Sequence, residues 1–240
     1  MASGVFQRKE IKFLLDSRQR AALERAMTEH MKIDEYGEST ICSLYYDTPD
    51  FRLIRRSLEK PAYKEKLRLR SYGTASSGGS VFVELKKKYD GIVYKRRISL
   101  PEDRAAAWLA GRETQPQDSQ IAREIDWFVA FYGSLRPAMY LCYDRTAWFC
   151  PGDDNLRITF DRNIRWRTQA LSLTVPPRGE QLLNPGQSLL EIKTGAGMPL
   201  WLTAALSENQ IRQTSFSKYG TAYTILQERE QFAKGGAYCA

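Results

Sequence analysis

Lys66-Leu67-Arg68-Leu69-Arg70 alternates a cation with a leucine at every step. Side chains on a strand point to opposite faces in turn, so this period of two places Lys66, Arg68 and Arg70 on one face and both leucines on the other. The same alternation recurs on either side. Glu84, Lys86 and Lys88 oppose Val81, Val83 and Leu85, and Lys95 and Arg97 stand less regularly against Tyr94, Arg96 and Ile98. Arg157, Thr159 and Asp161 oppose Leu156, Ile158 and Phe160. Glu191 and Lys193 oppose Leu190 and Ile192, while Glu10 and Lys12 oppose Ile11 and Phe13. Strands are predicted over residues 6–15, 41–47, 63–72, 81–88, 92–99, 138–149, 156–166 and 188–194.

Turn chemistry separates these segments. Ser76-Ser77-Gly78-Gly79 divides the third from the fourth, and Tyr89-Asp90-Gly91 makes a compact hairpin between the fourth and fifth. Short loops between consecutive strands imply mostly antiparallel pairing. Helices are expected from an Asp16 or Ser17 cap to about Met31, from Pro101-Glu102-Asp103 to Gly111, over 119–132 with Gly133 as the stop, and after Ser217. Residues 168–187, with paired prolines and Asn184-Pro185-Gly186, read as a long loop. With no internal repeat and no linker, residues 1–240 are expected to form one α+β domain.

Composition narrows the function. The 240 residues carry a formal net charge of +8 and a pI near 9.3, which favours polyanionic partners without selecting one. The start of the chain lacks the apolar run of a signal peptide, and no stretch approaches the ~18 apolar residues of a spanning helix. A cytoplasmic protein without membrane insertion is expected. Cys42, Cys142, Cys150 and Cys239 show no CxxC spacing and read as free thiols. His30 is the only histidine, which removes Ser-His-Asp triads and histidine zinc sites.

The charged faces admit two readings. One is an antiparallel sheet with a wet charged face and a helix-covered apolar face. The other is an eight-stranded antiparallel barrel with charges inside and helices packed outside, its lumen sized for one small ligand. Cations facing one another at close quarters would repel unless a polyanion sat among them.

Arg8-Lys9-Glu10-Ile11-Lys12-Phe13 and Tyr45-Tyr46-Asp47-Thr48-Pro49 resemble the triphosphate tunnel metalloenzymes, the CYTH-like superfamily. Leu67 to Gly73, Phe82 to Lys86, Tyr143 to Ala147, Leu156 to Thr159, Leu190 to Lys193 and Phe216 to Tyr219 resemble one branch, the catalytic domain of the vacuolar transporter chaperone (VTC) polyphosphate polymerases. The resemblance implies a triphosphate tunnel, an eight-stranded antiparallel barrel lined by Lys and Arg. It implies Lys12, Arg68, Arg70, Lys86, Lys95, Arg145, Arg157 and Lys218 as catalytic phosphate ligands. Ser217, Arg97 and Lys193 would add phosphate contacts, and Glu191 with Glu10 would hold Mn²⁺ or Mg²⁺. Implied partners are ATP, pyrophosphate and polyphosphate, with no nucleic acid.

Two departures stand out. Arg8 replaces the first acid of the Glu-x-Glu-x-Lys motif of other tunnel enzymes, and Ser215 replaces a lysine of the eukaryotic polymerases. The chain also leaves no room for the SPX domain or membrane helices of those enzymes, so the resemblance does not carry membrane-coupled export with it.

The expected reaction passes the γ-phosphate of ATP to a growing phosphate chain, whose ionised end needs no general base. No GxxxxGK segment marks a P-loop. Two alternatives stay open. A tripolyphosphatase or nucleoside triphosphatase would use Glu10 or Glu84 to orient water. A non-catalytic polyphosphate- or nucleic-acid-binding sheet would stack bases on Tyr72, Tyr89, Tyr94 or Trp166.

Overall fold

The computed structural model describes residues 9–76, 78–90, 92–195 and 197–235. Arg8, Ser77, Gly91 and Cys239, which figure in the sequence reading, lie outside the described residues. The chain divides into two compact units. Residues 1–40, 143–164 and 183–216 make the first, and residues 41–142, 165–182 and 217–240 the second.

The elements in chain order are β1 (Lys9–Leu15), α1 (Ser17–Met27), β2 (Lys32–Asp47), α2 (Arg52–Leu58), β3 (Tyr63–Tyr72), β4 (Ser80–Tyr89), β5 (Ile92–Pro101), α3 (Glu102–Leu109) and α4 (Gln120–Tyr132). There follow β6 (Arg136–Cys150), β7 (Asp153–Arg167), β8 (Glu180–Gln181), β9 (Ser188–Thr194), α5 (Leu200–Glu208), β10 (Gln213–Thr214) and α6 (Lys218–Gly235). Each of the eight segments with period-two alternation is a strand. The two further strands, β8 and β10, have two residues each, and β8 interrupts the expected 168–187 loop. The hydrogen-bonded path is β10-β1-β9-β7-β6-β2-β3-β4-β5, with β8 on β7. The fold is an antiparallel, strand-dominated one with helices, as expected. Among the described residues, however, hydrogen bonds do not close the path into a ring.

In the first unit β9 lies between β1 and β7, both antiparallel to it. Phe13, Leu15, Ile158, Phe160, Leu190 and Ile192 form its apolar face. Helices α1 and α5 cover that face with Leu23, Met27, Leu202 and Leu206, each buried aliphatic contributing about 1.5–3 kcal/mol. Asp16 starts α1 through a capping box, its side chain accepting from the Gln19 N–H while Gln19 returns to the Asp16 N–H. The helix ends at Met27, four residues short of the expected Met31. His30 is exposed beyond it and stacks on Trp201 at 4.4 Å.

In the second unit β2, β3, β4 and β5 follow one another as antiparallel neighbours. Leu67, Leu69, Val81, Val83, Leu85 and Ile98 point into a core closed by Trp108 and Leu109 of α3 and by Ile125 and Phe128 of α4. Helix α4 is capped by Ser119 and stops at the left-handed Gly133, where a side chain would be strained. Cys42 and Cys142 are buried free thiols, and Cys150 is free and half-buried.

Candidate phosphate site

In the second unit the charged residues of β2 to β5 fall into rows that cross the strands. Tyr45, Arg68, Glu84 and Arg97 are in register, followed by the row Lys66, Lys86 and Lys95. On the other side of the first row lie Ser43, Arg70, Phe82 and Ser99. The helix-covered core holds the alternate residues, so Lys66, Arg68, Arg70, Glu84, Lys86, Lys95 and Arg97 share the opposite face.

Glu84 is the hub of this face, with its side chain only 1% exposed. Its Oε2 accepts from Arg68 Nε at 2.8 Å, and its Oε1 accepts from Arg97 Nε at 2.8 Å and lies 2.8 Å from Lys95 Nζ. Arg70 Nε stands 3.6 Å away. Burial pushes the Glu84 carboxyl up, but Arg68, Arg70 and Lys95 together outweigh it and hold the group well below the ordinary carboxylate range. Burial, with Arg97 and Arg70 beside it, lowers Lys95 although Glu84 opposes the shift. A carboxylate engaged by so many cations is a poor base for activating water. Lys86 has no carboxylate within ion-pair distance among the described residues. Like charges directly opposite one another on neighbouring strands are unfavourable.

The first turn of α6 reaches the same face. Lys66 Nζ donates to Ser217 Oγ at 3.3 Å, and Ser217 Oγ also accepts from the Gly220 N–H. Tyr219 stacks on Tyr45 at 4.6 Å and donates to Asp47 Oδ2 at 2.9 Å. Asp47 in turn accepts from the Thr48, Leu53 and Ile54 N–H groups and so caps α2. Lys218 is half-buried in that turn.

In the first unit Lys12, Glu191 and Thr159 are in register, with Glu10, Lys193 and Arg157 as the next row. Glu191 lies 3.1 Å from Arg145 Nη2, 3.5 Å from Lys12 Nζ and 4.0 Å from Lys193 Nζ. Lys12 also approaches Glu10 at 3.2 Å and donates to the Phe216 carbonyl at 3.1 Å. Asp161, fully buried, accepts from Arg145 Nε and Nη2 at 2.6 and 2.7 Å. Arg157 is exposed.

The thirteen sequence-derived site residues thus form two groups. Glu10, Lys12, Arg145, Arg157, Glu191 and Lys193 belong to the first unit; Arg68, Arg70, Lys86, Lys95, Arg97, Ser217 and Lys218 belong to the second. The sequence reading missed Tyr45, which accepts from Arg68 Nη1 at 2.9 Å, and Asp161 as the support of Arg145. Both sit on the charged parity of their strands, which is the signal that exposes them. It also missed polar atoms that the protein leaves unmet: Ser43 Oγ, Arg70 Nε and Thr159 Oγ1 are buried without hydrogen-bond partners.

Among the described residues no three His, Cys, Asp or Glu side chains gather around a common point. An all-protein metal cage therefore does not fit. Glu191 and Glu10, which flank Lys12, do fit the kind of divalent site in which one or two carboxylates hold the ion and phosphate oxygens and water complete its shell. Of the aromatic residues that the base-stacking alternative would use, Trp166 is buried. Its ring is 3% exposed, with the Arg229 guanidinium 5.4 Å from the ring centre.

A family model, the VTC domain, matches residues 7–227. The chain belongs to the VTC domain family. Subunit 4 of the vacuolar transporter chaperone complex of Schizosaccharomyces pombe is 25% identical over 76% of this chain and 31% of its own length. Subunit 4 from Trypanosoma brucei brucei is 23% identical over 69% of this chain and 26% of its own. The chain thus spans less than a third of these curated relatives. A solved structure of a proposed adenylate cyclase from Bacillus halodurans superposes with a TM-score of 0.52 at 14% identity, covering 88% of this chain and 95% of that one. A second, from Vibrio parahaemolyticus, gives 0.50 at 12% identity over 92% and 99%. The chain therefore shares the fold of these two proteins. No described helix is long and apolar enough to cross a membrane.

Proposed function

We propose that this VTC domain is a polyphosphate polymerase, a metal-dependent phosphotransferase that moves the γ-phosphate of ATP onto a growing polyphosphate chain. The observation that carries the reading is the cation rows, above all Lys66–Lys86–Lys95, where three lysines stand in register on adjacent strands. A phosphate chain relieves their repulsion, and successive same-face residues, about 7 Å apart along a strand, suit successive phosphates. The chain's terminal oxygen attacks the γ-phosphorus, the new P–O bond forms, and the bond to the β-phosphate oxygen breaks to release ADP. The attacking oxygen is already ionised, so the residues have only to align phosphates and neutralise charge.

Arg68, Arg70, Arg97, Arg145 and Arg157 are assigned planar, paired contacts to phosphate oxygens. Lys12, Lys86, Lys95, Lys193 and Lys218 are assigned point contacts, and Ser217 a hydroxyl contact. Glu191, with Glu10, is assigned Mn²⁺ or Mg²⁺, which when bound neutralises charge on the phosphates. ATP, pyrophosphate and polyphosphate are the proposed partners, with no nucleic acid. Residues 1–240 are proposed to act as a single domain in the cytoplasm; the family match through the alternating segments of both units supports the first part.

The test supplies ATP, a divalent metal and a pyrophosphate primer and follows free phosphate and chain length together. Lengthening chains with ADP release support the polymerase. Stoichiometric free phosphate without polymer overturns it and leaves the triphosphatase.

A further inference from the structure

Tyr45 is a buried titratable group on the cation face to which the phosphate-transfer scheme gives no role. Its ring packs flat against Tyr219 at 4.6 Å, and its hydroxyl accepts from Arg68 Nη1 at 2.9 Å. The Arg68 guanidinium also lies 5.7 Å from the ring centre. Lys66, Arg68 and Arg70 of β3 all face it; Glu84 of β4 accepts from Arg68, and Asp47 of its own strand accepts from Tyr219. Because the oxygen already accepts from Arg68, its own proton is left to donate elsewhere.

We propose that Tyr45 is a proton-linked member of the anion site: its phenol is neutral and donates to a phosphate oxygen when polyphosphate occupies the Lys66, Arg68 and Arg70 face, and it ionises more readily when that face is empty. This rests on the anion-binding reading of the face. The physical cause is competition for the same cations. In the free protein, burial opposes ionisation, but Arg68, Lys66 and Arg70 outweigh it and bring the phenol down to about 8 from the ordinary 10. A phosphate chain cancels those positive charges, so the phenol returns toward its ordinary value and holds its proton. By linkage the tyrosinate weakens binding of the chain by the same factor. Tyr219, hydrogen-bonded to Asp47 and stacked beneath, is pushed the other way by burial and by that carboxylate and stays neutral.

The experiment follows tyrosinate absorbance of the intact protein against pH, with and without saturating tripolyphosphate, in the natural chain and in Tyr45→Phe. The expected result is one phenol titrating near pH 8 in the free protein, absent from Tyr45→Phe and moved up by at least about one unit on binding. Tripolyphosphate affinity should then fall about tenfold more in the natural chain than in Tyr45→Phe as pH rises past that midpoint. Should Tyr45→Phe fail to fold, Arg68→Gln must move the same midpoint upward. Absence of any phenol titrating below the ordinary tyrosine range overturns the proposal, and so does a midpoint that bound tripolyphosphate leaves in place. Tripolyphosphate that does not bind at all overturns the anion-site reading instead, while the titration of the free protein still reports on the setting of Tyr45.

Discussion

Arg145 is gripped from one side by Asp161, whose two carboxylate oxygens take its Nε and Nη2 at 2.6 and 2.7 Å. Asp161 is fully buried, and Arg145 has Glu191 as a second carboxylate partner. A paired, planar contact of this kind fixes the guanidinium before any ligand arrives. Asp161→Asn should destabilise the protein by about 3 kcal/mol, the lower end of the range for breaking a buried ion pair. It should also raise the KM for ATP more than it lowers kcat, which a purely structural loss would not do. Thermal melts and steady-state kinetics on the one variant read both effects.

Glu84→Gln removes the acid that Arg68, Arg70, Lys95 and Arg97 share. The repulsion left behind should destabilise the free protein by about 3 kcal/mol, moderated because Lys95 and Arg97 keep part of their water. Tripolyphosphate should then raise the melting temperature more in Glu84→Gln than in the natural chain, since the anion replaces the missing charge. Equal ligand-induced shifts would show that the anion binds away from this face.

The same residue sets an acid limit. The carboxyl of Glu84 is held below its ordinary value, so its stabilisation is fully present above the ordinary carboxylate pKa and is lost as pH falls through the depressed one. Tyr45 is also depressed, to about 8, so its stabilisation is present above the ordinary pKa of 10 and is lost as pH falls through about 8. Between pH 8 and 10 the natural chain should gain stability relative to Tyr45→Phe, by at most about 2–3 kcal/mol. Denaturant unfolding of both proteins across that window checks the sign.

Glu191→Gln should abolish metal-dependent turnover while tripolyphosphate binding without metal largely survives. Full activity in that variant would assign the ion elsewhere, with Glu10 the next candidate, 3.2 Å from Lys12.

Period-two alternation made the strands legible because one face of each is apolar and buried, and burial fixes register strongly. Helix α2 was not legible. Its N-cap position is Phe51, left-handed and without a capping side chain, and the acceptors for its free N–H groups come from Asp47 and Thr48 upstream. Helix α5 carries a weaker signal: Leu202, Ala205 and Leu206 share one helical face and are buried, but the helix has only 9 residues, too few turns for the period to stand out. At the candidate site Lys12, Arg68, Arg70, Lys86, Lys95, Arg97, Arg157 and Lys193 were legible from parity, whereas Arg145 and Lys218 came only from the family resemblance. Their partners were not, because hydrogen bonds such as Arg68 to Tyr45 and Arg145 to Asp161 depend on which strands pair and in what register.

The cations on the strand faces are proposed to bind a phosphate chain. Calorimetric titration of tripolyphosphate into the natural chain and into Arg68→Ala tests it most directly. Arg68 contacts both Glu84 and Tyr45, and the other cations around Glu84 remain to hold the carboxylate. Tight binding to the natural chain is expected, weakened in a folded Arg68→Ala by about 1.5–3 kcal/mol, the range for a hydrogen bond to a charged group. Unchanged tripolyphosphate affinity in a folded Arg68→Ala would contradict it.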